Sequence, residues 1–567
     1  MLRHTRSDGL DVITPITDAT AEADLWPHAM WIGELDEANL IGVSELTLSG
    51  GDGFRRGRLL VWSGGQPRGF IELEVSDGAI DVASAVARIA ELAPVAARPP
   101  VWDQPPFTVA VCTRDRPEHL RNALRGLVEI DYPQFELLVV DNNPTSGLTP
   151  PVVDAFKSST NIDVRVIEAP GQGLSIARNV AIRSAQHDII AFTDDDVVVD
   201  KFWLKNLAYG FSRDRRVACV CGMVPSAELV TPAQSYFDRR VGWARGCEPA
   251  VFDLAVPPPD DPLFPMRVAQ FGTGANFAVR RDVLIELGGF DEGLGIGSPA
   301  GGGEDIDVFV RILLAGHVLV REPAAVVWHR HRRTAAGLEI QVHNYGLGLG
   351  AWIAKLGSRP RTFAMALRRV RPAVKHMRHV TVVEQEANGP PDPELDALYG
   401  RELKGVLQGP IALLSARLAG RKAMPLSVRS SRVIRAFDFR GDRNWGDPQN
   451  SMLAGRLSLT AVAVGLLGAL GTISALPTFV LAIAVGAFVF AGPGSLAMSW
   501  YTRMPTSVLL PLIPAVSFAV CLIAVSGLLM LGFYNPVVVL LGLAALTVVG
   551  GLAHCGYLAQ RQTASVS

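Results

Sequence analysis

Between Leu457 and Gln560 the chain carries one ordinary charged side chain, Arg503. Four apolar stretches fit there, at roughly 457–474, 476–494, 508–530 and 535–555, separated by "SALPT", "SWYTRMPTS" and "GFYNP". Each is near the ~17–25 residues that cross a bilayer as a helix. A buried helical core is the alternative, but four such runs in series favour spans. Between Ala351 and Arg456, just ahead of them, 19 lysines and arginines stand against nine acidic residues. Arg456, Arg503 and Arg561 all fall on one side of a four-span arrangement, and basic flanks mark the cytoplasm. The expectation is a multi-pass protein of the cell membrane with both ends and its large N-terminal body in the cytoplasm.

The body divides further. The N-terminal segment has no apolar core resembling a secretory signal. Six cysteines without metal-site spacing read as packing residues. Residues 1–100 read as a small α+β module of unassigned role: "GRLLVWSGG" and "RGFIELEVSDG" as a hairpin, then "DVASAVARIAELA" as a helix capped by Asp81. From Phe107 the pattern becomes strand, turn, helix, repeated, which argues for a mostly parallel sheet flanked by helices at 101–340. A basic helical segment at 341–456 and the transmembrane region at 457–560 complete the expected domains. A net charge of −2 gives no global sign of a nucleic-acid partner.

In such sheets ligands sit off the carboxyl ends of the strands. Polar residues collect there: Thr113-Arg114-Asp115, Asp141-Asn142-Asn143, and Asp194-Asp195-Asp196 in "FTDDDVVVD". Adjacent carboxylates resist ionisation unless something positive compensates them. The triplet reads either as a surface turn before a helix or as hard oxygen ligands for Mg²⁺ or Mn²⁺ that in turn hold phosphate oxygens. In "GGGEDIDVFVRILLAG", Glu304 and Asp305 open an amphipathic helix with Ile306, Phe309, Val310, Leu313 and Leu314 as its apolar face. They read either as dipole-complementing acids or as a catalytic base.

Taken in order, "VAVCTRDRPEHLRNAL", "FELLVVDNN", "GQGLSIARNVAI" and "IIAFTDDDVVVD" resemble the nucleotide-binding half of family 2 glycosyltransferases with the GT-A fold. "GTGANFAVRRDVLIELGGFDE", "GGGEDIDVFVRILLAGH" and "VWHRH" are similar to their acceptor-side half. The likeness covers about Phe107 to His331. It implies an inverting, metal-assisted enzyme that moves a sugar from an NDP-sugar to a lipid-linked or cell-envelope glycan acceptor.

By that resemblance, Thr113, Arg114, Asp141, Arg178, Asp194 and Asp195 bind the donor, with Asp141 toward the base. Asp196, Asp194 and His329 hold Mg²⁺ or Mn²⁺. Asp305 is the general base and Glu304 orients hydroxyls. The loop at Gly272–Asn276 lies under the donor sugar, and Asp291 of "LGGFDE" binds an acceptor hydroxyl or only caps. The Q-x-x-R-W motif of processive relatives is missing: Gln341 is followed by Val342, His343, Asn344 and Tyr345. A single transfer is therefore expected. The basic stretch Arg401–Lys422 reads as a helix lying on membrane lipids or packing on the body. Rival readings are a sugar nucleotidyltransferase, a metal-dependent hydrolase, and a non-catalytic scaffold of the same fold.

Overall fold

Valine, isoleucine and phenylalanine crowd the segments read as strands, and in the computed structural model those segments are strands. The structure describes residues 2–4, 9–15, 25–98, 103–244, 246–259, 261–358, 362, 365, 366, 369, 393–424, 448–472, 476–500, 506–530 and 535–564. Parts of the basic segment, at 370–392 and 425–447, lie outside the described residues. Two compact units result, Met1–Asp438 and Phe439–Ser567.

The first unit begins with two small sheets. One contains β1 (Leu2–His4), β2 (Gly9–Val12), β4 (Glu45–Leu48) and β7 (Ala79–Asp81); the other contains β3 (Trp31–Asp36), β5 (Arg56–Ser63) and β6 (Gln66–Glu74). β5 and β6 form the expected antiparallel hairpin, turning at Gly64-Gly65, where both φ angles are positive. The Asp81 carboxylate caps α1 (Val82–Ala90), accepting from the Ser84 N–H at 2.8 Å. These sheets share their own core, built on Leu10, Leu35, Leu59 and Ile71.

The large sheet begins with β8 (Phe107–Thr113), α2 (Pro117–Val128), β9 (Phe135–Asp141), α3 (Thr149–Lys157), β10 (Asp163–Glu168), α4 (Leu174–Ser184) and β11 (Ile189–Thr193). Their strands pair in parallel in the order β10-β9-β8-β11. All three acidic or polar loops therefore emerge at one end of the sheet. The chain continues through β12 (Val197–Val199), α5 (Trp203–Ser212), β13 (Val217–Met223), α6 (Pro232–Val241), β14 (Ala250–Phe252), β15 (Asn276–Arg280), α7 (Arg281–Glu286), α8 (Glu304–Leu314) and β16 (Val318–His329). β15 runs antiparallel between β11 and β13, and β16 pairs with β13, β12 and β14. The sheet is thus mixed, parallel through its first four strands and largely antiparallel beyond them, with one core on each face. This is the α/β, GT-A-type arrangement expected from the sequence.

Two long helices close this unit: α9 (Ala335–Gly357) and α10 (Pro393–Leu418). They pack backbone to backbone. A Cβ on Gly350 would lie 2.0 Å from the Val406 carbonyl oxygen, so only glycine fits there. α10 turns its other face outward, where Leu403, Leu407, Ile411, Leu414 and Leu418 form an exposed stripe.

The second unit holds helices Pro448–Leu470, Thr478–Ser499, Thr506–Met530 and Pro536–Ala564. Among the described residues, Leu453–Leu470, Thr478–Ser499 and Pro536–Leu558 are long and apolar enough to cross a membrane. The remaining stretch read as a span contains the shorter apolar segment Leu512–Ser526. Within this unit the Ser458 and Ser499 hydroxyls each lie 2.9 Å from His554 Nδ1, which gives the buried imidazole polar partners.

Candidate active site

Strand geometry brings the three loops together. β11 ends at Thr193 beside Val111 of β8, and β8 ends at Thr113 beside Asp141 of β9. The Thr113 hydroxyl donates to Asp195 Oδ2 at 2.7 Å, locking the first loop to the third. Asn142 reaches across, donating to the carbonyls of Ala169 and Gly171 and accepting from the Gly173 N–H. The Arg114 guanidinium donates to the Asn142 carbonyl at 2.6 Å.

Above these loops opens a cavity of about 800 Å³. Its wall includes Thr113, Arg114, Arg178, Asp194, Asp195, Asp196, Glu304, Asp305 and His329. Asp141 is placed differently: it is buried, accepts from the Asn143 N–H at 2.9 Å, and is not part of that wall.

Asp194, Asp196 and His329 offer ligand atoms within 4.8 Å of one another. His329 arrives from the end of β16, because β12 pairs Val197 with His329 immediately after the triplet. Its Nε2 lies 3.4 Å from Asp196 Oδ1. Burial lowers the His329 pKa and favours the neutral imidazole that binds metal. His331 stacks on His329 with centroids 4.9 Å apart, but it is buried against Phe237 and stands outside the three-residue cluster. Of the neighbouring arginines, Arg330 and Arg333 both pair with Glu228, whereas Arg332 lines the cavity.

Two arginines compensate the acidic triplet. Arg116 lies 3.2 Å from Asp195 and 3.3 Å from Asp196. Arg178, fully buried from α4, lies 3.4 Å from Asp194 and 3.0 Å from Glu304. Burial still pushes Asp194 up to about 7, with Asp196 and Asp195 adding to it against the pull of Arg178. For Asp196 burial raises the pKa, but the positive charge of His329 when protonated, of Arg116 and of Arg332 outweighs it, and the pKa is lowered. Glu304 is raised to about 7 by burial first and by Asp305 next.

Across Arg178 from Asp194, α8 starts at Glu304, after Gly303 in the left-handed region (φ 88°). The turn sends the two acids in different directions. Glu304 is buried against Arg178, whereas Asp305 is half-buried at the cavity. Asp305 accepts from the Gly274 N–H at 2.8 Å through Oδ2 and from the Ile306 N–H at 2.8 Å through Oδ1. Each carboxylate oxygen has two lone pairs, so this anchoring leaves capacity to accept a proton. The Gly274 carbonyl in turn accepts from Arg178 at 2.8 Å. Asn276 is structural: its side chain accepts from Trp203 Nε1 and donates to the carbonyls of Met223 and Ala325.

Asp291 lies elsewhere. It is fully buried and off the cavity wall, ion-paired to Lys355 at 2.6 Å and to Arg417 at 2.7 Å. Sequence reading passed over Arg116 and gave Asn142 no role of its own, and both line the cavity directly. Both sit within the quoted motifs "TRDRP" and "VVDNN", where their neighbours drew attention first.

Comparison with known proteins gives a family match over the strands that carry these loops. The profile of Glycosyl transferase family 2 matches residues 108–288. The chain is 25% identical over 243 residues to a probable glycosyltransferase, YdaM, of Bacillus subtilis, which covers 41% of this chain and 52% of that one. It is 29% identical over 259 residues to the pre-mycofactocin glycosyltransferase of Mycobacterium tuberculosis, covering 44% and 49%. It is 27% identical over 256 residues to the succinoglycan biosynthesis protein ExoM of Rhizobium meliloti, covering 44% and 70%. The chain spans about half the length of the first two relatives. Motif order, sheet and family profile converge on one assignment: this chain carries a glycosyltransferase family 2 domain.

Proposed function

We propose that the chain is a membrane-bound, inverting glycosyltransferase that moves a sugar from an NDP-sugar to a glycan or lipid-linked acceptor. One observation carries the reading: a metal-type cluster and an anchored carboxylate face the same cavity. Asp194, Asp196 and His329 line it together with Asp305.

The three-residue cluster suits Mg²⁺ or Mn²⁺, since it combines carboxylate oxygens with a neutral imidazole. A divalent ion there would supply positive charge that stabilises a departing diphosphate. Arg116 and Arg178 supply fixed positive charge at the same place. Asp305 takes the acceptor hydroxyl proton while the acceptor oxygen bonds to the anomeric carbon and the bond to the diphosphate breaks. The Gly274 N–H holds that carboxylate in position and Glu304 remains paired with Arg178. NDP leaves, and the configuration at the anomeric carbon inverts.

The membrane assignment rests on the apolar helices of the second unit and on the leucine stripe of α10. That stripe, flanked by Arg401 and Lys404, suits a helix lying in the headgroup region with the catalytic body on the cytoplasmic side.

The test is NDP release from a panel of NDP-sugars by the full chain in detergent, with Mn²⁺ and with chelator. Metal-dependent NDP release coupled to sugar transfer is expected. Sugar 1-phosphate as the product, with the nucleotide transferred, would instead identify a nucleotidyltransferase.

A further inference from the structure

Just past the end of α10, Arg421 reaches two loops that wall the cavity. Gly420, with φ 76°, ends the helix in a left-handed turn. The Gly420 N–H donates to the Arg417 carbonyl and the Arg421 N–H to the Ala416 carbonyl, which fixes the helix end. The Arg421 guanidinium then donates through Nη1 to the Gln172 carbonyl at 2.6 Å and through Nη2 to the Gly297 carbonyl at 3.1 Å. Arg417, one turn earlier, pairs with Asp291. Arg421 instead spends its fork on the backbone of two loops far apart in the chain.

The first loop, 171–173, opens α4, the helix of Arg178. It is bonded to the strand-end loops: Asn142 accepts from the Gly173 N–H and donates to the Gly171 carbonyl, and Arg114 donates to the Asn142 carbonyl. The second loop, 294–303, leads into α8 and Asp305. The two loops touch directly, since the Leu174 N–H donates to the Ile296 carbonyl at 2.9 Å and the Ser175 hydroxyl to the Leu294 carbonyl at 2.7 Å. A Cβ on Gly297 would lie 3.0 Å from the Gly173 Cα, and one on Gly173 would lie 2.8 Å from Arg421 Nη1. The three segments therefore meet with no room for a side chain between them. Gly173, Ile296 and Gly297 all line the cavity, and Ile296 is 65% exposed.

We propose that Arg421 is a positioning residue for donor binding: it fixes the spacing of these two loops, and with it the slot that takes the nucleotide part of the NDP-sugar. The proposal rests on the glycosyl-transfer reading and adds a residue, outside the family-matched segment, that sets donor affinity. Hydrogen bonds from a charged guanidinium are stronger than neutral ones, and one planar fork holds two carbonyls at a fixed separation. Without that bridge the loops part, and Ile296 and the Asn142 contacts move away from a bound nucleotide. Asp305 is anchored separately, by the Gly274 and Ile306 N–H groups. The effect of Arg421 therefore falls on donor binding and spares the chemical step.

The experiment uses the full chain in detergent with Mn²⁺ and whichever NDP-sugar gives NDP release, read as donor KM and kcat. Arg421→Ala should raise the donor KM about fivefold or more, as loss of two charged hydrogen bonds implies, with kcat within about twofold of wild type. Arg421→Lys keeps the charge but cannot span both carbonyls, so its donor KM should also exceed the wild-type value. Lys422→Ala, which removes an exposed neighbouring charge, should leave the donor KM unchanged. Where Arg421→Ala does not fold, Arg421→Lys supplies the same comparison. A donor KM unchanged in the folded Arg421 variants, a fall in kcat alone, or full recovery in Arg421→Lys would overturn the role of Arg421 while leaving glycosyl transfer standing. Absence of NDP release from every donor would overturn glycosyl transfer itself, and the role of Arg421 with it.

Discussion

Arg116 and Arg178 make three consecutive carboxylates tolerable at the end of β11, each from a different side. Their arrangement divides the acids by role. Asp195 is tied down by Thr113 and Arg116, Glu304 is held by Arg178, and Asp196 faces His329. Asp305 alone among the two acids opening α8 stays half-buried at the cavity, its oxygens oriented by two backbone N–H groups. Replacing Asp305 by Asn keeps its shape and removes its basicity. The expected outcome is a kcat lower by ~10²–10⁴-fold with nucleotide affinity retained, read by turnover assay and by titration of NDP. Retained turnover would remove the base from Asp305. The acidic motifs were legible in the sequence because each lies at the end of a clear strand or helix signal. Asp141 shows the limit: the strand-end rule puts it at the right edge, but local hydrogen bonding turns its carboxylate to the Asn143 N–H.

At the scale of elements, α8, α9 and α10 are joined by buried charge. Lys355 of α9 lies 2.6 Å from Asp291 and 2.7 Å from Asp307 of α8, and Arg417 of α10 also grips Asp291. The helix that carries Asp305 is thereby fixed to α9, which lines the same cavity. Burial raises the Asp291 pKa, but Arg417 and Lys355 outweigh it and hold the carboxyl down at about 2. A carboxyl with a depressed folded-state pKa stabilises the fold above its ordinary value and loses that contribution as pH falls toward 2. Asp291→Asn should therefore lose stability of about 2 kcal/mol at pH 7, and the gap from wild type should narrow below pH 4. Thermal unfolding midpoints at both pH values read this. No sequence pattern announces the network, since its members lie far apart in the chain and meet only after three helices pack.

The leucine stripe of α10, by contrast, follows helical spacing and was legible as an amphipathic segment. A tryptophan placed by Leu407→Trp in proteoliposomes should be quenched by brominated acyl chains. Unquenched fluorescence would mean that this face does not meet lipid.

At the scale of the whole molecule, the first unit is assembled around the strand that delivers His329. Ile32 and Leu60 of the N-terminal sheets pack with Met223, Leu229, Val326 and Trp328 in one cluster. Arg58 of β5 pairs with Asp238 of α6 at 2.7 Å, and Asp238 accepts from Ser226, whose backbone bridges to His329. The N-terminal sheets thus buttress the ends of β16 and α6, which sequence reading left without a role. That role was illegible because its contacts cross from one sheet system to another and leave no local periodicity. The α/β alternation and the apolar C-terminal helices were legible, since both are written in hydrophobic pattern alone.

The central claim is that Asp194, Asp196 and His329 jointly hold a divalent cation. Electron spin echo spectroscopy of the full chain loaded with Mn²⁺ and a nucleoside diphosphate measures this directly. A nitrogen modulation from the His329 imidazole is expected, and it should disappear in His329→Gln. Bound Mn²⁺ without that nitrogen signal in the wild type would contradict it.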